Sequence, residues 1–470
     1  MKLLSELYSG YPNIEIKGIK TNSKDVLKGD IFVCIMGVNA DRHEFIDEAV
    51  KNGASAIVVS RSVSEDRVPV IKVENTNREL SFLCQKFYDD PLDNLHLIAT
   101  TGTNGKTTTS QIIQTLLGKD ICGYMGTNGI ISSRFNEKII NTTPSLDILY
   151  KYFRKFLDSD CNYLSMETSS EAYLWKRLDN IYFDVGIVTN ITEDHLNVHK
   201  TIENYVACKK EMLNHIKNEG FLILNTDDKY YLDFLHNCSC NVITYGMNNA
   251  DLLIKNIEIN SYNTKFVLTY NNKDYSITSP LLGDFNVYNL VGAIGACIGI
   301  GRSIDEIIPN ISKISCLEGR IEFLNYNQKY DIVLDYAHTT DAFLKLFPVL
   351  RKICNGKIIT VTGSAGGREK EKRGPMGKVV LDNSDYVIFT MDDPRYEDVN
   401  LIIDDLVSLS HKNNYLRIID RKEAIFKAFD MALDDDLVLI AGKGCDNYMA
   451  IFDQYLEYCD KDVIEEYFNK

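Results

Sequence analysis

The residues of this chain best suited to chemistry lie in "TTGTNGKTTT", positions 100 to 109. An apolar run, "LHLIATT", leads into it, and "TTTSQIIQTLLG" follows with the apolar spacing of a helix. A glycine-rich turn between strand and helix aims backbone N–H groups at one point, where the helix dipole favours an anion. The expected ligand is ATP, cradled by Gly102, Thr103, Asn104, Gly105, Lys106, Thr107 and Thr108. Lys106 would reach the β- and γ-phosphates, and the Thr107 hydroxyl would ligate Mg²⁺. The strict phosphate-loop pattern has glycine where this chain has Thr100, so Gly102 and Gly105 must make the turn, a G-x-x-G-K-T variant.

Other groups could serve the same chemistry. Glu167 ends an apolar stretch in "LSMETSSEAY", a common position for a magnesium carboxylate. Downstream, "TNITEDHLNVHKTIENYVACKKEML" presents Asp194, His195, His199, Lys209 and Lys210. Taken singly, either histidine reads first as a structural or surface residue, and either lysine as a solvated one. Near the C-terminal end, "DIVLDYAH", "KIITVTGSAGG", "DYVIFTMDDPR" and "LVLIAGKGCD" each run from apolar to polar, charged or glycine-rich. One such tip is an ordinary loop. Four suggest a shared ligand edge, because parallel sheets bind ligands beyond the carboxyl ends of their strands. Arg368 and Arg395 there suit a carboxylate, whereas Asp393 and Asp446 suit an ammonium. Both signs together fit a ligand with a zwitterionic distal end.

These groups need elements to hold them. The chain has 470 residues, 45% apolar and 25% charged, which is ordinary globular usage and predicts roughly two to four domains. The fold class expected is α/β with three domains. Residues 1–91 alternate short strands ("DIFVCIMG", "ASAIVVS", "PVIKV") with helical stretches such as "HEFIDEAVKNGA", and Pro91 marks a linker. Residues 92–318 carry the phosphate loop, then β/α alternation, a strand-rich excursion at 241–280 and the helical "NVYNLVGAIGACIGIG". Residues 319–470 hold the four strands separated by helices, as in a Rossmann-like parallel sheet. A net charge of −15 argues against a nucleic-acid surface. Twelve cysteines without a C-x-x-C pair read as reduced thiols. The N-terminus lacks a signal-peptide core and no window is apolar enough to span a membrane, so a cytoplasmic protein is expected.

The ordered string "GTNGKTTT … NTTPS … METSSE … FDVGIVTNITEDHLNVH … YVACKK … GDFNVYN … GRIE … DYAHTTDA … GSAGGREKEKR … DDPRYED … AGKG" resembles the Mur ligase family. Within that family it is most similar to the UDP-N-acetylmuramoyl-tripeptide synthetase (MurE) branch, over nearly the whole chain. The resemblance implies a UDP-sugar-binding first domain, a central ATP-binding domain and an amino-acid-binding third domain. It also implies peptide-bond formation, in which ATP phosphorylates the carboxylate of a UDP-MurNAc-peptide and an amino acid attacks the acyl phosphate. Lys106 matches the phosphate-loop lysine; Thr107, Glu167 and His195 match metal-site positions. Lys209 matches the lysine that the family carries as a CO₂-derived carbamate. Asn286 and Asn289 match adenine-holding positions, and Arg320 and Asp335 match positions near phosphate and ribose. Ser23, Asn141, Thr142, Thr143, Pro144, Ser169 and Arg177 match segments near the UDP-MurNAc-peptide. Arg368, Asp393, Pro394, Arg395, Gly442 and Asp446 match the amino-acid pocket.

The chain departs from the family pattern at several of these motifs. "SSH" becomes "SSE" at Glu171, "DYAHTP" becomes "DYAHTT" at Thr340, and "DSR" becomes "NSK" at Asn22 and Lys24. "GKGHE" becomes "GKGCD" at Cys445 and Asp446, and "DNPR" becomes "DDPR" at Asp393. The last two bear on the amino acid. meso-Diaminopimelate is favoured because L-lysine lacks the distal carboxylate that Arg395 would hold. The same chemistry with L-lysine or another amino acid, a divergent paralogue in a dedicated pathway, a folylpolyglutamate-synthetase-like ligase and a non-catalytic ATP-binding relative stay open. A monomer without nucleic-acid or membrane partners is expected.

Overall fold

A computed structural model describes every residue except 38–39, 140, 261–262, 316 and 470. The chain packs as two compact units. The first comprises Met1–Thr101, Gly118–Gly186 and Cys208–Gly220; the second comprises Gly102–Leu117, Ile187–Ala207 and residues 221–470.

In the first unit, four parallel strands neighbour one another in chain order: Gly18–Lys20, Asp30–Val33, Ala56–Val59 and Val70–Lys72. Three were legible as apolar runs; Gly18–Lys20 is an additional edge strand. Pro91, expected in a linker, opens a short 3₁₀ helix, Pro91–Asp93, and is buried. Further along, Cys122–Gly126, Tyr163–Glu167 and His96–Thr101 are adjacent parallel strands. His96–Thr101 is buried at every position after His96, which explains its unbroken apolar reading.

In the second unit, the strand-rich excursion forms an antiparallel meander of Leu252–Ile259, Thr264–Tyr270 and Lys273–Ser279. Asp284–Gly299 is the expected helix, apolar around most of its surface and buried accordingly. The four C-terminal runs form parallel strands in the order Asp331–Asp335, Leu437–Ala441, Ile358–Thr362 and Tyr386–Phe389. Helices cover both faces: Phe343, Leu346, Val380 and Ile403 pack on one, and Ala424, Ile425, Ala428 and Ile464 on the other. Sequence reading missed the flanking strands Glu322–Leu324 and Tyr415–Arg417 and the hairpin Tyr448–Ile451/Gln454–Glu457. All three are short or half-exposed, so they lack an apolar run.

The strand order places the carboxyl ends of all four central strands on one edge. "DYAH", "GSAGG", "MDDPR" and "GKGCD" therefore share that edge.

Candidate active site

The phosphate loop is shaped by what glycine permits. Gly102 has φ +147°, and a Cβ there would lie 1.9 Å from Thr189 Oγ1. Gly105 has φ +86°, and its Cβ would lie 2.3 Å from Asn289 Oδ1. Any side chain would be strained and would collide. Helix Lys106–Leu117 begins directly after the loop, so its first N–H groups face the same point. Lys106 folds over the loop, and its Nζ donates to the carbonyls of Gly102 and Thr103, each at 2.9 Å. A lysine held over a glycine-shaped turn at a helix N-terminus is the arrangement a polyphosphate would enter, so these residues fit ATP.

A second segment, "TNIT" at 189–192, clamps the loop and was not singled out from sequence. Thr189 Oγ1 and Asn190 Nδ2 both donate to the Asn104 carbonyl, at 2.7 and 3.0 Å. Asn104 N donates to Asn190 Oδ1 at 3.1 Å, and Thr103 N donates to the Asn190 carbonyl at 2.8 Å. Thr103 Oγ1 accepts from Thr192 N and donates to the Thr192 carbonyl. The available signal was the polar "TN" ending the apolar run "FDVGIV". Asn286 and Asn289 are both buried under the loop. Asn286 Nδ2 donates to the Leu282 carbonyl at 2.8 Å, and Asn289 links Asn286 to Thr109. In this structure they brace the loop.

His195 stands at φ +56°, starting the short helix Leu196–His199. Its Nε2 is 3.5 Å from Asp194 Oδ2, and Lys372 Nζ is 3.5 Å from the other oxygen. Burial works against the charge on Asp194, but the neighbouring His195, Lys372 and His338 hold its carboxyl well below the usual range. His199 is buried against the Tyr205 ring, at 5.2 Å between centroids. That is the structural alternative for this histidine.

In the first unit, Glu167 is fully buried. Its carboxylate accepts from Tyr124 OH at 2.6 Å, Thr127 N at 2.9 Å and Thr127 Oγ1 at 3.2 Å. Lys209 is also buried, with Nζ 3.4 Å from Thr101 Oγ1. Lys210 is half-buried. Thr143, Ser169 and Arg177 form one bonded group: Thr143 Oγ1 donates to the Glu167 carbonyl and accepts from Ser169 N, while Arg177 Nη1 donates to the Thr143 carbonyl at 2.7 Å. Arg177 stacks on Trp175. Thr142 meets Thr127 at 3.2 Å, and Asn141 is exposed. Ser23 donates to the Glu48 carboxylate. Among the described residues, no group of three or more His, Cys, Asp and Glu side chains could hold a metal.

At the shared strand edge, Asp393 and Arg395 both have positive φ, +46° and +51°. Arg395 Nη1 donates to the Gly366 carbonyl at 3.2 Å. The Pro394 carbonyl lies where a Cβ on Gly366 would be, so these two loops are in close contact. Gly442 packs against Asp392 in the same way, and Arg368 is half-buried. The sequence reading aimed Asp393 at a substrate ammonium, but the structure gives that carboxylate an internal partner. Its Oδ1 accepts from Lys443 Nζ at 2.8 Å and from Ala450 N at 2.9 Å. Asp446 accepts from Tyr336 OH at 3.1 Å through both oxygens. Arg320 stacks on the Tyr336 ring, and buried Asp335 accepts from Ile321 N and Ala337 N, each at 2.8 Å. Burial raises the Asp335 carboxyl above the usual range.

Three family descriptions match the chain: "Mur ligase family, catalytic domain" over residues 15–88, "Mur ligase middle domain" over 100–297 and "Mur ligase, glutamate ligase domain" over 319–444. A Clostridium acetobutylicum UDP-N-acetylmuramoyl-L-alanyl-D-glutamate–2,6-diaminopimelate ligase is 37% identical, across 98% of this chain and 96% of its own length. A solved diaminopimelate ligase of the same name superposes with TM-score 0.68 at 26% identity, covering 100% of this chain and 99% of that one. The MurF ligase of Thermotoga maritima, solved with ADP, shares the fold with TM-score 0.67 at 21% identity, covering 97% of this chain and 98% of that one.

Proposed function

Because the chain belongs to the Mur ligase family, we propose that it adds meso-diaminopimelate to UDP-MurNAc-L-Ala-D-Glu in peptidoglycan precursor synthesis. The observation that carries this reading is full-length similarity to diaminopimelate ligases, with a glycine-shaped phosphate loop at the expected residues. It is an ATP-dependent ligase with the three-domain architecture of that family. We assign UDP-sugar binding to 1–91, ATP binding to 92–318 and amino-acid binding to 319–470.

The residues divide the reaction between them. Gly102 to Thr108 cradle the ATP phosphates and Lys106 neutralises charge as the substrate carboxylate oxygen attacks the γ-phosphorus, expelling ADP. The amine nitrogen then attacks the acyl carbon, phosphate leaves with the C–O bond pair, and the ammonium proton passes to solvent. Magnesium, when bound, offsets repulsion between carboxylate and phosphate. Glu167 and a carbamylated Lys209 would supply anionic ligands for it, and Thr107 and His195 neutral ones. Asn286 and Asn289 flank the adenine, and Arg320 and Asp335 serve phosphate and ribose. Ser23, Asn141, Thr142, Thr143, Ser169 and Arg177 hold the nucleotide–sugar peptide. Arg368 and Arg395 take the amino acid's distal carboxylate, with Pro394, Gly442 and Asp446 shaping the pocket. The protein acts as a cytoplasmic monomer.

Phosphate release with ATP and UDP-MurNAc-L-Ala-D-Glu, assayed over a panel of amino acids, tests this. Release with meso-diaminopimelate supports it. Release only with L-lysine or another amino acid redirects the substrate, and silence with all of them sinks the ligase reading.

A further inference from the structure

Lys443 is fully buried, yet it belongs to a strand tip that a substrate should reach. Burying an ammonium is costly unless it is paired and hydrogen-bonded. Here it is both. Its Nζ is 2.8 Å from Asp393 Oδ1 and 3.4 Å from Asp446 Oδ2, and 4.5 Å from the centre of the Tyr448 ring. Each carboxylate is fixed from its other side as well. Asp393 accepts from Ala450 N, and its own N–H meets Met449 Sδ at 3.2 Å; Asp446 accepts from Tyr336 OH.

Asp393 is also where this chain carries an acid in place of the family's asparagine. Beside it, Asp392 is buried as well. An added carboxylate among Asp392 and Asp446 would be repulsive if nothing offset it. Lys443 supplies the offset. Its bond to Asp393 consumes the new charge inside the protein, and its position between the two acids fixes where Asp446 stands.

We propose that Lys443 is a positioning residue: paired with Asp393, it holds Asp446 as the carboxylate that receives the ammonium of the incoming amino acid. In this arrangement Asp393 is a counter-ion for Lys443 and makes no direct contact with substrate. The distal carboxylate remains with Arg395, so the pocket keeps one acid and one arginine for a zwitterionic end. This assignment rests on the ligase reading above.

The test uses the full-length protein and three variants: Lys443→Met, Asp393→Asn and the double variant. Removing the lysine leaves two acids facing each other, so KM for diaminopimelate should rise on the order of 10- to 100-fold with KM for ATP unchanged. The double variant restores charge balance and should recover roughly tenfold of that loss. Asp446→Asn should raise the same KM at least as far as Lys443→Met, and Asp393→Asn should raise it far less. An unchanged amino-acid KM in Lys443→Met, a parallel rise in KM for ATP, or a double variant no better than Lys443→Met would overturn the proposal. The rescue can also be read without substrate: the melting temperature should fall in Lys443→Met and partly return in the double variant. If wild type turns over no amino acid, the ligase reading fails, and absence of thermal rescue would then separately refute the charge pairing.

Discussion

The phosphate loop and the C-terminal strand edge are built by different means. At the loop, the determinants are backbone: two glycines at positive φ and one lysine folded over the turn, with Thr189, Asn190 and Asn289 packed behind. At the edge, the determinants are side-chain charges, and several are spent on one another, as Lys443 is on Asp393. A backbone site is tolerant of its surroundings and works for any member that binds ATP. A charge-balanced site depends on its partners being matched, so removing one leaves the other unpaired.

Variants should separate the two regions. The largest effect is expected at the phosphate loop, where Lys106→Ala should cut phosphate release by about 10²- to 10³-fold with every amino acid tried. Loss confined to one amino acid would break the distinction. Lys209→Ala should be similarly severe, and CO₂-depleted wild type should regain activity on adding bicarbonate. Bicarbonate-independent turnover would count against the carbamate. Next, Arg395→Ala should raise KM for diaminopimelate about 10- to 100-fold, the value of a lost charged hydrogen bond, while ATP binding holds. Gly105→Ala should destabilise the fold by about 1–3 kcal/mol through backbone strain and weaken ADP binding, measured by thermal unfolding with and without nucleotide.

The smallest effect is a pH dependence. Burial pushes the Asp446 carboxyl up to about 6, with Lys443 and Tyr336 pulling it down and Asp393 and Asp392 pushing it up. A raised acid contributes most to stability when protonated, below the ordinary carboxylate range, and that contribution is lost as pH rises through about 6. Ammonium binding needs the charged form, so KM for the amino acid should fall over the same interval. Asp446→Asn should flatten that profile; an unaltered profile would assign the titration elsewhere.

The legibility of each region follows from its physics. "TTGTNGKTTT" was readable because glycine spacing, a preceding strand and a following helix are local features. The four parallel strands were readable because they are buried on both faces and so are continuously apolar. The Asp393–Lys443 pair was not readable, since it joins residues 50 positions apart through the strand order. The same holds for Asn104 and Asn190, and for Tyr336 and Asp446. Asp393 illustrates the cost: its type suggests a substrate ammonium, and only the fold shows Lys443 Nζ 2.8 Å from its carboxylate.

The central claim is that the loop drives a shared reaction and the strand edge selects the amino acid. The most direct measurement compares kcat/KM for meso-diaminopimelate and L-lysine in wild type and in Arg395→Ala. The account predicts a strong preference for diaminopimelate in wild type that collapses in the variant, with KM for ATP unchanged. A preference that survives removal of Arg395, or one for L-lysine from the start, would contradict it.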